Sequence, residues 1–226
     1  MVTTQGITAA QAALSLEVDS DGVAWLVFDN PDSKVNLLTR AVMERLDQLL
    51  AQLEEGARTG RVKALVVRSG KDGSFIAGAD VREIAGITDA EEAAVQAAAG
   101  QAVFLRLERL PLPTIAAIDG TCLGGGTELA LACGYRLASD RPATKIGLPE
   151  VQLGIIPGFG GTTRLPRLVG VQAALEMILS GKPISAKKAH RIGLVDECVP
   201  APSLIEYARR FAWERIDRGR ARTKRR

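Results

Sequence analysis

Gly120-Thr121-Cys122-Leu123-Gly124-Gly125-Gly126-Thr127-Glu128 joins the apolar run Thr114-Ile115-Ala116-Ala117-Ile118 to the segment Leu129-Ala130-Leu131-Ala132. The apolar run, preceded by Pro111 and Pro113, predicts a buried strand, and residues 127–133 predict a helix. Consecutive glycines between them let a ligand come close to the backbone. A helix N-terminus adds unpaired N–H groups and the positive end of a dipole. Together these form a seat for developing negative charge, an oxyanion hole. Glu128 lies three residues beyond Gly125, about one helical turn, so its carboxylate can face the same spot. Read alone, a first-turn glutamate also serves simply to complement the dipole. The run is not a dinucleotide fingerprint, because Leu129 stands where the third glycine belongs, and Gly181-Lys182 is followed by Pro183 rather than by a phosphate-loop hydroxyl.

Downstream, Ile146-Gly147-Leu148-Pro149-Glu150 precedes a second glycine-rich loop at 157–161. A carboxylate at a strand end among apolar residues has a raised pKa and can exchange a proton near neutrality. A surface loop glutamate is the other reading of Glu150. Upstream, Phe75-Ile76-Ala77-Gly78-Ala79-Asp80 places small residues before a short helix at 81–85, with Asp80 as its N-cap. That segment also reads as an ordinary turn and cap.

Farther out, residues 13–19 and 23–28 alternate around Asp21-Gly22 and predict a β-hairpin. Thr39 caps a helix to about residue 55, with Val42, Leu46, Leu49, Leu50 and Leu53 on one face. A buried strand is expected at 62–67, and Thr88 with Glu91 forms a capping box for a helix reaching about 110. Strands are expected near 135–138, 144–147 and 194–199, and helices at 161–168, 171–179, after Ser185 to Gly193, and 204–215. Strands alternating with helices make the class α/β.

The chain has 226 residues, 46% hydrophobic and 24% charged, ordinary values for a globular protein. No run approaches the roughly 18–20 apolar residues of a membrane helix. Residues 1–11 carry no basic residue and do not read as a signal peptide. The three cysteines, Cys122, Cys133 and Cys198, have neither disulfide-framework nor zinc-type spacing, so a reducing cytoplasm is expected. Cys122 is expected to pack rather than react. The single histidine, His190, has no G-x-S-x-G turn to serve and is expected on a helix surface. No metal site is expected. From 209 to 226 nine Lys/Arg face two acids, a local +7, so the other 208 residues carry −4 of the net +3. Such a tail reads as a solvated helix end or as a surface for RNA.

Taken together, these segments resemble the enoyl-CoA hydratase/isomerase (crotonase) family. The match runs from Phe28-Asp29-Asn30-Pro31 and Lys34-Val35-Asn36, through Ala77–Asp80 and Gly124–Glu128, to Pro149-Glu150, Gly158–Gly161 and Gly193-Leu194-Val195-Asp196. Lys34-Val35-Asn36 and the 22-residue interval from Glu128 to Glu150 are most similar to the hydratase part of multifunctional fatty-acid-oxidation α-subunits.

The resemblance implies a crotonase (ClpP/crotonase-like) spiral of ββα units over 1–202, followed by a C-terminal helix and basic tail over 203–226. It implies an enoyl-CoA hydratase of β-oxidation, with Glu128 and Glu150 catalytic and the N–H groups of Ala79 and Gly125 as the oxyanion hole. Lys34, Val35, Ala77, Gly78, Asp80 and Gly124 are implied to contact the coenzyme A thioester. No cofactor is implied beyond the coenzyme A of the substrate, and no nucleic acid or membrane span. The expected state is a homo-oligomer or a subunit or fragment of a larger enzyme. The family's further C-terminal helices are missing, so that region is expected to be truncated. A Δ3,Δ2-enoyl-CoA isomerase and a non-catalytic crotonase-like binding module are the rival readings.

Overall fold

In the structure, a computed structural model that describes residues 12–31 and 33–217, Asp19 turns the first hairpin. Its Oδ1 accepts the N–H groups of Asp21 (3.1 Å) and Val23 (3.0 Å), and its Oδ2 accepts Trp25 Nε1 at 3.0 Å. β1 (Leu14–Val18) and β2 (Val23–Phe28) run antiparallel from there, as the Asp21-Gly22 turn predicts. β2 then pairs in parallel with β4 (Ala64–Ser69), and the six-stranded sheet continues through β7 (Thr114–Ile118), β9 (Tyr135–Ser139) and β12 (Glu197–Val199).

The strands that follow β4, β7 and β9 leave this sheet and build another. β5 (Ser74–Ile76), β8 (Thr121–Leu123), β10 (Lys145–Gly147) and β11 (Ile184–Ser185) form four strands in the order β11-β10-β8-β5. A short parallel pair, β3 (Leu37–Leu38) with β6 (Gly78–Ala79), sets Leu38 opposite Ala79. One strand in each sheet and then a helix, repeated along the chain, is the spiral of ββα units.

The helices are α1 (Arg40–Arg58), α2 (Val81–Ala85), α3 (Ala90–Arg109), α4 (Gly125–Ala132), α5 (Gly161–Val169), α6 (Val171–Ser180), α7 (Ala186–Arg191) and α8 (Leu204–Asp217). A mostly parallel sheet must be covered on both faces. Leu65 and Val67 of β4 join the main core with Leu46, Leu49 and Leu50 of α1, whereas Ala64 and Val66 meet Leu204, Ala208 and Phe211 of α8. Arg106 of α3 pairs with Asp47 and Glu54, tying α3 to α1.

Several boundaries differ from expectation. Asp89, not Thr88, caps α3, accepting Glu92 N–H at 3.0 Å, because its carboxylate reaches the third N–H of the helix. α4 begins at Gly125, two residues early, since glycine can enter a helix from the turn directly. The strand at 194–199 is confined to Glu197–Val199, because Arg136 takes up the Leu194 carbonyl at 2.8 Å. Arg136 is buried and also donates to Cys133 O at 2.7 Å, so its charge closes the C-terminus of α4. Residues 218–226, half of the basic stretch, lie outside the described residues. Among the described residues no helix is long and apolar enough to cross a membrane.

Candidate active site

The glycine turn sets up the site. Gly124 adopts φ 52°, ψ −126°, a conformation open essentially to glycine. Its N–H donates to Gly147 O at 3.0 Å, holding the end of β8 against the end of β10. The helix then lies directly on β5: a methyl group on Gly126 would stand 2.3 Å from Ile76 O. Thr127 Oγ1 lies 2.8 Å from both Cys122 O and Gly147 O, a second tie between the same elements.

Gly125 is the first residue of α4, where an N–H has no acceptor within the helix. A Cβ there would be 3.6 Å from Ala79 N, so the two backbone segments are adjacent. Both residues line a cavity of about 330 Å³ together with Glu128 and Glu150. The site is therefore assembled from four elements: β6, the start of α4, and the turn after β10, closed by the loop before α5.

Glu128 sits one turn into α4 and is 2% exposed. Its Oε1 accepts two backbone N–H groups, those of Phe159 and Gly161, each at 2.8 Å. Burial pushes its pKa up to about 7; the Gly161 N–H opposes this, Glu150 adds to it, and the Phe159 N–H and Arg164 oppose it. Glu150 opens a 3₁₀ turn, Glu150–Leu153, and is 8% exposed rather than a surface loop residue. Burial raises its pKa as well. Its Oε2 has no hydrogen-bond partner among the described residues, and a methyl on Gly124 would lie 3.2 Å from its Oε1. Two buried carboxylates thus share one cavity with unequal support: two N–H groups from the loop before α5 hold Glu128 Oε1, whereas at Glu150 its own backbone N–H opposes the effect of burial and Oε2 meets no donor among the described residues.

Ala77, Gly78 and Gly124 line the same cavity. Asp80 does not; it caps α2, accepting Arg82 N–H at 2.9 Å and the Arg82 side chain at 2.8 Å, and faces a neighbouring groove of about 730 Å³. Lys34 and Val35 line neither space. They lead into Asn36, whose carbonyl accepts Ala77 N–H at 2.9 Å, so their segment runs beside Ala77. Cys122 is buried and its thiol is pushed up to about 12, in keeping with packing.

Two contributors escape a reading of the sequence, and a third, Asn36, stands out there only as the end of the Lys34-Val35-Asn36 run. Asn36 is fully buried and donates to Phe28 O, Ser69 Oγ and Phe75 O at 2.8–3.0 Å, locking the loop that positions β3 against β6. The Phe159 and Gly161 N–H groups come from a loop that the glycines mark, but their target is 31 and 33 residues away. Arg164 has no sequence signal at all. Among the described residues no three His, Cys, Asp or Glu side chains gather as metal ligands would.

A family model described as enoyl-CoA hydratase/isomerase matches residues 19–224. The fatty acid oxidation complex subunit alpha of Vibrio parahaemolyticus is 47% identical over 214 residues, which cover 95% of this chain and 29% of that protein. That of Aliivibrio fischeri is 49% identical over 201 residues, 89% of this chain and 29% of that protein. The chain thus spans 29% of the length of these curated relatives. An enoyl-CoA hydratase structure from Bacillus anthracis superposes with TM-score 0.82 at 38% identity, covering 91% of this chain and 76% of that one. One from Geobacillus kaustophilus gives TM-score 0.83 at 31% identity, with 89% and 74% covered. Matched by that model over residues 19–224 and by these relatives over most of its length, the chain belongs to the enoyl-CoA hydratase/isomerase family.

Proposed function

We propose that this chain hydrates trans-2-enoyl-CoA thioesters to 3-hydroxyacyl-CoA, as the hydro-lyase step of fatty acid β-oxidation. The observation that carries the reading is the pair Glu128 and Glu150, both buried in the cavity that Ala79 and Gly125 also line. The thioester oxygen accepts the N–H groups of Ala79 and Gly125, which draws electron density from the β-carbon and stabilises the enolate. A water held between the carboxylates attacks that carbon. Glu128, whose ionised form the N–H groups of Phe159 and Gly161 favour, accepts the water proton. Glu150, whose pKa burial also raises and whose Oε2 meets no donor among the described residues, is the acid of the pair in this reading and delivers its proton to the α-carbon. Hydroxyl and hydrogen are then both added, and a proton transfer from Glu128 to Glu150 restores the pair.

Acid–base chemistry and backbone dipoles suffice for this step, so no resident cofactor is invoked. The Ala77–Gly78 backbone and the adjoining Lys34–Val35 segment grip the coenzyme A part, and Val81, Ile84 and Ile87 give the acyl chain an apolar wall. The relatives named as subunits of a fatty acid oxidation complex support a place in a larger assembly, and bacterial enzymes of that kind support a cytoplasmic location.

The test is hydration of crotonyl-CoA, followed by loss of the conjugated thioester absorbance, beside Glu150→Gln. The expected result is turnover that falls by about 10³ or more in the variant, the scale of a lost general acid combined with lost water positioning. Rapid isomerisation of a 3-enoyl-CoA with no hydration would overturn the assignment.

A further inference from the structure

The loop that holds Glu128 is itself held from behind. Arg164 of α5 donates from one terminal nitrogen to Phe159 O at 2.9 Å and from Nε to Glu108 Oε2 of α3 at 2.9 Å. Its side chain is 13% exposed while that of Glu108 is 44% exposed, so the guanidinium is tucked beneath the loop and its ion pair opens to solvent. α3 grips the same loop twice more. Gln101 donates to Gly158 O at 2.8 Å, and the Phe159 ring meets Phe104 edge-on at 5.5 Å. The carbonyl of Phe159 is thus anchored to Arg164 while its N–H points at Glu128 Oε1.

We propose that Arg164 is a positioning residue for the hydration, acting through the Phe159 and Gly161 peptides to fix the Glu128 carboxylate. The proposal rests on the hydratase reading above. With Oε1 engaged twice, the other oxygen of Glu128 is the one left for water, and rotation of the carboxylate would break both bonds. Losing Arg164 frees the loop to turn its N–H groups away. It also removes a positive charge that favours ionised Glu128. Among the described residues, Glu150 on the 3₁₀ turn opposes the ionisation of Glu128 and Arg164 on α5 favours it. Glu108 on α3 is taken up by Arg164, and Asp80 beside β6 by Arg82.

The experiment compares the full chain with Arg164→Met and Arg164→Lys, using crotonyl-CoA from pH 5 to pH 9. In Arg164→Met, kcat per active site falls by about tenfold or more with KM within about threefold, because an interaction made chiefly in the transition state is lost. The acid limb of the rate profile moves to higher pH by about one unit, since Glu128 must be ionised to accept a proton. Arg164→Lys, which keeps the charge but not the two-pronged geometry, restores the limb and only part of kcat. A merely structural role lowers the active fraction and leaves the limb in place, and a limb that coincides with the parent's overturns the proposal. If Arg164→Met does not fold, Arg164→Lys decides, parent-like kcat being the overturning result. Titration of the Glu128 carboxyl by ¹³C NMR is read without turnover. An inactive parent therefore sinks the hydratase reading, while an unmoved carboxyl in Arg164→Met sinks this one.

Discussion

The hydroxyl of Thr127 lies 2.8 Å from the carbonyl oxygen of Gly147, joining the helix that carries Glu128 to the strand end that leads to Glu150. The two glutamates come from separate ββα units, and this bond, with Gly124 N–H on the same carbonyl, sets their separation.

Replacing Thr127 by Val keeps the shape and removes the donor. The cost is about 1 kcal/mol, because Gly147 O keeps its backbone partner while Cys122 O loses one. Activity falls further than stability does, by about tenfold in kcat on crotonyl-CoA, as the carboxylates drift apart. Thr127→Ser restores most of it. Equal kcat in Val and Thr forms, measured per folded molecule, would refute the role.

Glu128 makes stability depend on pH. Its pKa is about 7 in the folded chain against 4.5 unfolded, so the folded state binds more protons between those values. Stability from this group is full below pH 4.5 and is lost as pH rises through 7, by up to about 3 kcal/mol. Glu128→Gln, which mimics the neutral acid, is inactive but melts higher than the parent at pH 8, and the difference closes toward pH 4. Denaturant melts at both pH values check the sign.

Gly124→Ala forces a side chain into φ 52°, ψ −126° and toward Glu150 Oε1 at 3.2 Å. Backbone strain of about 1–3 kcal/mol follows. The Gly125 N–H shifts with it, so kcat drops by about 10² or more, the effect of a misplaced oxyanion donor. A variant with parent-like kcat would show that the turn tolerates a side chain.

Asn36→Leu removes the amide NH2, whose two hydrogens serve three acceptors on the β2, β4 and β5 segments. Each orphaned acceptor costs about 1–3 kcal/mol, so a loss of about 4 kcal/mol is expected in urea unfolding. KM for the thioester rises too, because the Asn36 carbonyl anchors Ala77.

The elements were legible where local rules dominate. The first hairpin, the apolar face of α1 and the caps Thr39, Asp80 and Ser185 all appear as expected, because turn chemistry and side-chain periodicity act over a few residues. The cap of α3 was misread by one residue because Thr88 and Asp89 are both competent caps and only the approach of the chain separates them. Asp80 was legible as a cap but not as a residue that lines the groove beside the cavity of the two glutamates rather than that cavity.

What the sequence by itself determined is the chemistry on offer: a glycine turn that only a tight helix entry can use, a glutamate one turn behind it, and another after Pro149. These are local facts of backbone sterics and spacing. Tertiary structure alone decided what the two glutamates are. It buried both, gave Glu128 two N–H donors from a loop more than thirty residues away, left Glu150 Oε2 without one among the described residues, and set Ala79 beside Gly125. Proton affinity depends on the charges, dipoles and solvent around a group, and those neighbours are brought in by the folding of distant segments.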